Sequence, residues 1–197
     1  MYVTSGNDTE IQLTIDAAIE FANAINDAID DTGEILEPEA ARRLLHDQGF
    51  SRAATAPTAA VRRLTQRVLD LLPRLSTLPT SDVGAAGTWV NGELTELTIA
   101  PSLSDHDGSE LHVHWTPPSA TFDDQVMADV LMAITQELCD HGVKRFGRCA
   151  ADDCEHLFYD SSRNGSRRFC SDPRCASRTH TADHRKRRKA EIGRAHV

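Results

Sequence analysis

Residues 149–175 read CAADDCEHLFYDSSRNGSRRFCSDPRC, and this stretch decides how the C-terminal part of the chain folds. It holds two C-x4-C turns, Cys149 to Cys154 and Cys170 to Cys175, separated by fifteen residues. Zinc favours four thiolates in a tetrahedron, and a short turn between two cysteines supplies two sulfurs from one loop. Two such turns complete a closed structural site for one Zn2+ and leave no position for a catalytic water. Redox pairs use two intervening residues rather than four, so metal binding is the expectation. Of the five cysteines, Cys139 stands apart in a helical segment and is expected to be an ordinary small hydrophobe.

Between the turns, His156–Tyr159 and Arg167–Phe169 flank the segment DSSRNGS, a pattern that predicts a β-hairpin with Leu157, Phe158 and Phe169 as its small core. After Cys175 the sequence ASRTHTADHRKRRKA suits a helix but has no apolar stripe. Burial cannot hold such a helix, so the metal must tether its start or a partner must order it. Knuckle, hairpin, second knuckle and helix together make a treble-clef-like zinc finger.

Charge divides the chain sharply. Residues 1–143 carry 7 Lys and Arg against 23 Asp and Glu, a net of −16, whereas residues 144–197 carry 14 against 7, a net of +7. A basic block on an acidic body predicts a surface for a polyanion. Arg163, Arg167, Arg168, Arg174, Arg178, Arg185, Lys186, Arg187, Arg188 and Lys189 are the candidate phosphate contacts. Arginine dominates this set, and its planar fork matches phosphate oxygens. Asn164 is a candidate base contact, although before Gly165 it also suits a turn.

Upstream, Ile11, Ile15, Ala18, Ile19, Ala22, Ile25 and Ile29 recur at helical steps and predict an amphipathic helix over 11–30, with Gly33 after its end. Pro38 to Gly49 predicts a short second helix. Thr58 opens a third, whose Val61, Leu64, Val68, Leu71, Leu72 and Leu75 imply packing on the first and which Pro73 should kink or end. Thr88–Val90, the pair Asn91-Gly92 and Leu94–Ala100 predict a β-hairpin, and Leu111, Val113 and Trp115 a third strand with one buried face. Asp123 is the expected cap of a long helix with Val126, Val130, Ala133, Ile134 and Leu138 on its buried stripe, ended by Gly142. The fold class is therefore α+β: an N-terminal domain of helices and a small antiparallel sheet over 1–143, a basic zinc finger over 144–190 and a tail over 191–197.

Residues 146–188 resemble the CGNR zinc-finger family of bacterial transcription regulators. Leu157–Cys175, LFYDSSRNGSRRFCSDPRC, is similar to the family's stretch, a run close to F-x-D-x-SRN-x-SRR-W-C before its fourth cysteine. Where the family name derives from Cys-Gly-Asn-Arg, this chain has Cys175-Ala176-Ser177-Arg178, which leaves the metal role intact and weakens the inference of base reading. EFANAIND and AARRLLHDQGF are similar to the ABATE domain of stress-induced regulators that accompanies the finger. The resemblance implies a DNA-binding regulator whose N-terminal domain senses a small apolar ligand or forms a homodimer. RNA binding or protein interaction through the same finger is the alternative.

No apolar run approaches the roughly 18 residues of a membrane span, and the start MYVTSGNDTEI has neither a basic leader nor an apolar core, so a cytoplasmic protein is expected. His106, His112 and His114 hint at a second metal site, but alternation places the latter two on the solvent face of their strand. No nucleophile constellation, phosphate loop or carboxylate pair stands out, so an enzyme is not expected.

Overall fold

A computed structural model describes residues 7–32, 34–104 and 112–194. Six α-helices dominate the described residues: α1 (Asn7–Thr32), α2 (Pro38–Asp47), α3 (Thr58–Thr77), α4 (Val83–Thr95), α5 (Phe122–Asp140) and α6 (Pro173–Arg194). Among the described residues there are also two antiparallel pairs of strands, β1 (Ser102–Ser104) with β2 (His112–His114), and β3 (Phe146–Arg148) with β4 (Leu157–Tyr159). The class expected from the sequence, α+β with a C-terminal finger, is the class observed.

Helices α1, α3 and α5 pack on one another, with α2 against α3 and α4 against α5. The core is largely aliphatic, with Phe21 and Tyr159 buried in it: Ile15, Ile25, Leu45, Leu64, Leu131 and Val90 are all essentially inaccessible. Gly49 and Gly142 adopt positive φ angles of 96° and 66° just beyond α2 and α5, where a residue with a Cβ would be strained. Pro73 lies inside α3, which continues to Thr77 rather than ending there. Gly33, His106 and Leu111 lie outside the described residues.

Three expectations are overturned. The segment 83–95 is helix, not hairpin: the Asp82 carboxylate caps it, accepting from Gly84 N at 2.8 Å and Ala85 N at 3.3 Å. Ala86 and Val90 are buried and Trp89 and Leu94 pack beside them, a three- and four-residue spacing that outweighs the local turn preference of Asn91-Gly92. The cap of α5 is Thr121, whose hydroxyl accepts from Asp124 N at 3.4 Å. Asp123 is instead buried and ion-paired with Arg63 at 2.8 Å, which holds its carboxyl below the usual range against the opposing pull of burial. Finally, β2 exists but has no buried apolar face: Val113 pairs with Leu103, and these are 39% and 67% exposed.

Candidate metal centre and nucleic-acid interface

The finger is built on a hairpin that differs from the expected one. Leu157–Tyr159 pairs with Phe146–Arg148, before the first cysteine, and not with 167–169. All three β4 residues are buried, so this strand needs a neighbour on each side. Gly147 permits the pairing to be tight, because a Cβ there would lie 2.3 Å from the Phe158 ring. Cys149–Cys154 is then the loop of the β3–β4 hairpin, closed by a bond from Cys149 N to His156 O at 2.8 Å.

The segment DSSRNGSR is a loop organised by the buried Asp160. Its carboxylate accepts from Ser162 N at 2.9 Å and Arg167 N at 2.7 Å, and these bonds hold the group below the ordinary carboxylate range despite its burial. Gly165, at φ 55°, closes the turn with a bond from its N to Ser162 O at 3.2 Å, so Asn164 occupies a turn and is exposed. A bond from Ala150 N to Arg168 O, 2.8 Å, brings the segment after the loop back to the first knuckle. Cys170 follows at once, and Cys175 lies in the first turn of α6.

These elements converge on one point. The sulfurs of Cys149, Cys154, Cys170 and Cys175 all lie within 4.8 Å of one another. Two separations, Cys154 to Cys170 at 3.9 Å and Cys170 to Cys175 at 3.8 Å, match the roughly 3.8 Å edge of a tetrahedron with Zn–S bonds of about 2.3 Å. Burial pushes the Cys154 thiol up to about 11 and the Cys170 thiol above its usual range. At Cys149 burial acts the same way, but backbone bonds from Cys170 and Ala151 outweigh it and lower the thiol. Four sulfurs this close ionise together only around a divalent cation, which is what the donor set fits. Cys139 is exposed at the end of α5 and takes no part.

The finger is joined to the helical body over a polar stripe on α1. The Asn23 side chain donates to Leu157 O at 3.0 Å and accepts from Leu157 N at 2.9 Å. Asp27 meets His156 at 2.7 Å, Ser171 donates to Glu20 at 2.8 Å, and Asp16 faces Arg167 at 3.9 Å. From α5, the buried Glu137 accepts from the Tyr159 hydroxyl at 2.8 Å and faces Arg145 at 3.7 Å. Phe146, Leu157 and Tyr159 belong to the same apolar cluster as the helices. The spacing of Asp16, Glu20, Asn23 and Asp27, four, three and four residues, marks one face of a helix, and it was the available signal for this contact.

The basic residues fall into two groups. Arg167 is committed to the loop, donating to Phe169 O at 2.8 Å and Tyr159 O at 3.0 Å, with its guanidinium 5.2 Å over the Phe158 ring. Arg174 pairs with Asp172 at 2.8 Å, and Arg178 with Asp153 at 3.1 Å. Arg174 and Arg178 stay exposed despite these pairs; Arg185, Lys186, Arg187 and Arg188 are exposed as well, as are Arg163 and Arg168, the last with its guanidinium 5.7 Å from the Phe169 ring. Residues 181–188 are exposed without interruption, more than two helical turns, so α6 leaves the body there with nothing against any of its faces. The Lys189 side chain lies outside the described residues.

A knuckle in a hairpin loop, a second knuckle leading into a helix and four thiolates around one structural zinc define a zinc finger. Residues 145–188 match the family model described as CGNR zinc finger. The match spans both knuckles and most of α6, and the helical body lies outside it. No curated protein matches the chain.

Proposed function

We propose that this protein is a non-enzymatic nucleic-acid-binding protein, a transcription regulator that holds duplex DNA through its zinc finger and α6. The observation that carries this reading is the run of exposed residues 181–188, which includes Arg185, Lys186, Arg187 and Arg188 on a helix anchored at its N-terminus by the zinc ligand Cys175. An α-helix exposed on every face fits the major groove, and side chains radiating from it reach phosphates on both walls. The match to the CGNR finger and the +7 charge of residues 144–197 support the same reading.

For the helical body we infer a supporting role, holding the finger in one orientation. Its interior contains a cavity of about 20 Å3 lined by residues such as Phe21, Leu45, Val68, Met127 and Ile134. That is room for about one water molecule, so an apolar effector would have to widen it. None of the described helices is long and apolar enough to cross a membrane.

Fluorescence anisotropy of the zinc-loaded protein with a mixed-sequence duplex tests the proposal. Binding should weaken linearly in log–log form with salt, by about 0.9 per neutralised phosphate. Replacing Arg185, Lys186, Arg187 and Arg188 together by Ala should lower affinity and flatten that slope by roughly 2–4. Absence of duplex binding at low salt, with retention of single-stranded RNA or of an acidic protein, would overturn it.

A further inference from the structure

Arg178 is among the phosphate contacts expected from the sequence, yet its partners set it apart from the cations further along α6. One terminal nitrogen, Nη2, lies 3.5 Å from the Cys175 sulfur and 3.1 Å from Asp153 Oδ1. Such a nitrogen carries two hydrogens, one for each acceptor. Cys175 and Arg178 are three residues apart on α6 and share a face, while Asp153 directly precedes the ligand Cys154 in the first knuckle. The guanidinium thus spans the metal centre from the helix to the hairpin loop.

We propose that Arg178 is a positioning residue of the zinc centre, which donates to the Cys175 thiolate and ties α6 to the first knuckle through Asp153. Zinc with four thiolates is a dianion, and a cationic donor at its edge draws charge from the nearest sulfur and slows both its protonation and its attack by electrophiles. The bridge to Asp153 fixes the direction in which α6 leaves the site, because it joins the helix to the first knuckle as well as to the metal ligand Cys175. Lysine cannot replace this arrangement: its ammonium ends one atom short of Nη2 and has no planar fork.

The test compares the full-length, zinc-loaded wild type with Arg178→Ala, Arg178→Lys, Asp153→Asn and Arg188→Ala. Two quantities are read: the rate of zinc transfer to a chromogenic chelator, and residue-resolved alkylation of the thiols by mass spectrometry. Both Arg178 variants should release zinc about 10–100-fold faster, with Cys175 the first thiol alkylated. Asp153→Asn leaves the bond to sulfur in place, so it should speed release less and leave the order of alkylation unchanged. Arg188→Ala should match the wild type in both readouts. If Arg178→Ala cannot be purified with zinc, Arg178→Lys and Asp153→Asn decide the matter. Wild-type rates in the Arg178 variants, with the alkylation order unchanged, would overturn the proposal and return Arg178 to the phosphate contacts. Neither readout involves nucleic acid, so failure of the DNA-binding reading would leave this result standing.

Discussion

Asn23 does for β4 what a neighbouring strand would do. Its amide satisfies both backbone groups of Leu157 along the edge opposite β3, and it is only 5% exposed. Asn23→Ala would leave a buried N–H and a buried carbonyl without partners. Such a loss costs about 1–3 kcal/mol per orphaned group, so we expect a destabilisation of about 3 kcal/mol in urea denaturation of the zinc-loaded protein. Asp16, on the same stripe, works against its surroundings. Burial raises its carboxyl to about 6, and the nearby Arg167 only partly opposes this. An unfolded chain titrates aspartate near 3.9, so the folded protein holds this proton more tightly than the unfolded one. The contribution of Asp16 to stability is therefore most favourable below about pH 4 and is lost as pH rises through about 6. Asp16→Asn should gain stability relative to wild type between pH 4 and pH 7. Taking the difference between the two proteins cancels the pH dependence of the shared metal site. A flat difference would contradict the assignment.

Helix α6 has 22 residues, yet its residues 181–188 are all exposed, and an isolated helix of that kind is marginal in water. The Cys175 thiolate and an edge-on contact between Phe169 and His180, 5.7 Å between centroids, hold its start. Removing zinc, or replacing Cys175 by Ser, should melt it. The ellipticity at 222 nm should fall by at least the share of α6, about a tenth of the chain, and return when zinc is restored to the chelated wild type. The metal site was legible in the sequence because ligand identity and spacing are local facts: two matched turns leave few alternatives. Helices α1, α2, α3 and α5 were legible because a stripe at steps of three and four survives any environment. The segment 83–95 was not, since Asn91-Gly92 is a strong local turn signal and only the surface of α5 makes Ala86, Val90 and Leu94 the stronger one. Nor was the partner of β4, because nothing near Gly147 announces a strand until the Phe158 ring is seen lying against it.

Taken whole, the molecule couples opposite charges through a shared interior. A body of net −16 carries a C-terminal part of +7, and the seam between them is the acidic stripe of α1 with the buried Glu137. The hairpin that bears the first knuckle places Phe146, Leu157 and Tyr159 in the same apolar cluster as the helices. Finger and body should therefore unfold as one unit: calorimetry of the zinc-loaded protein should give a single transition, and chelation should shift that transition rather than split off a second one.

Because β3 and β4 are rooted among the helices, metal scarcity becomes a threat to the whole polypeptide and not to its tip alone. A freshly synthesised chain that finds no zinc would present greasy strand surface and frayed ends to proteases and to other copies of itself, so its cellular abundance would follow the zinc supply.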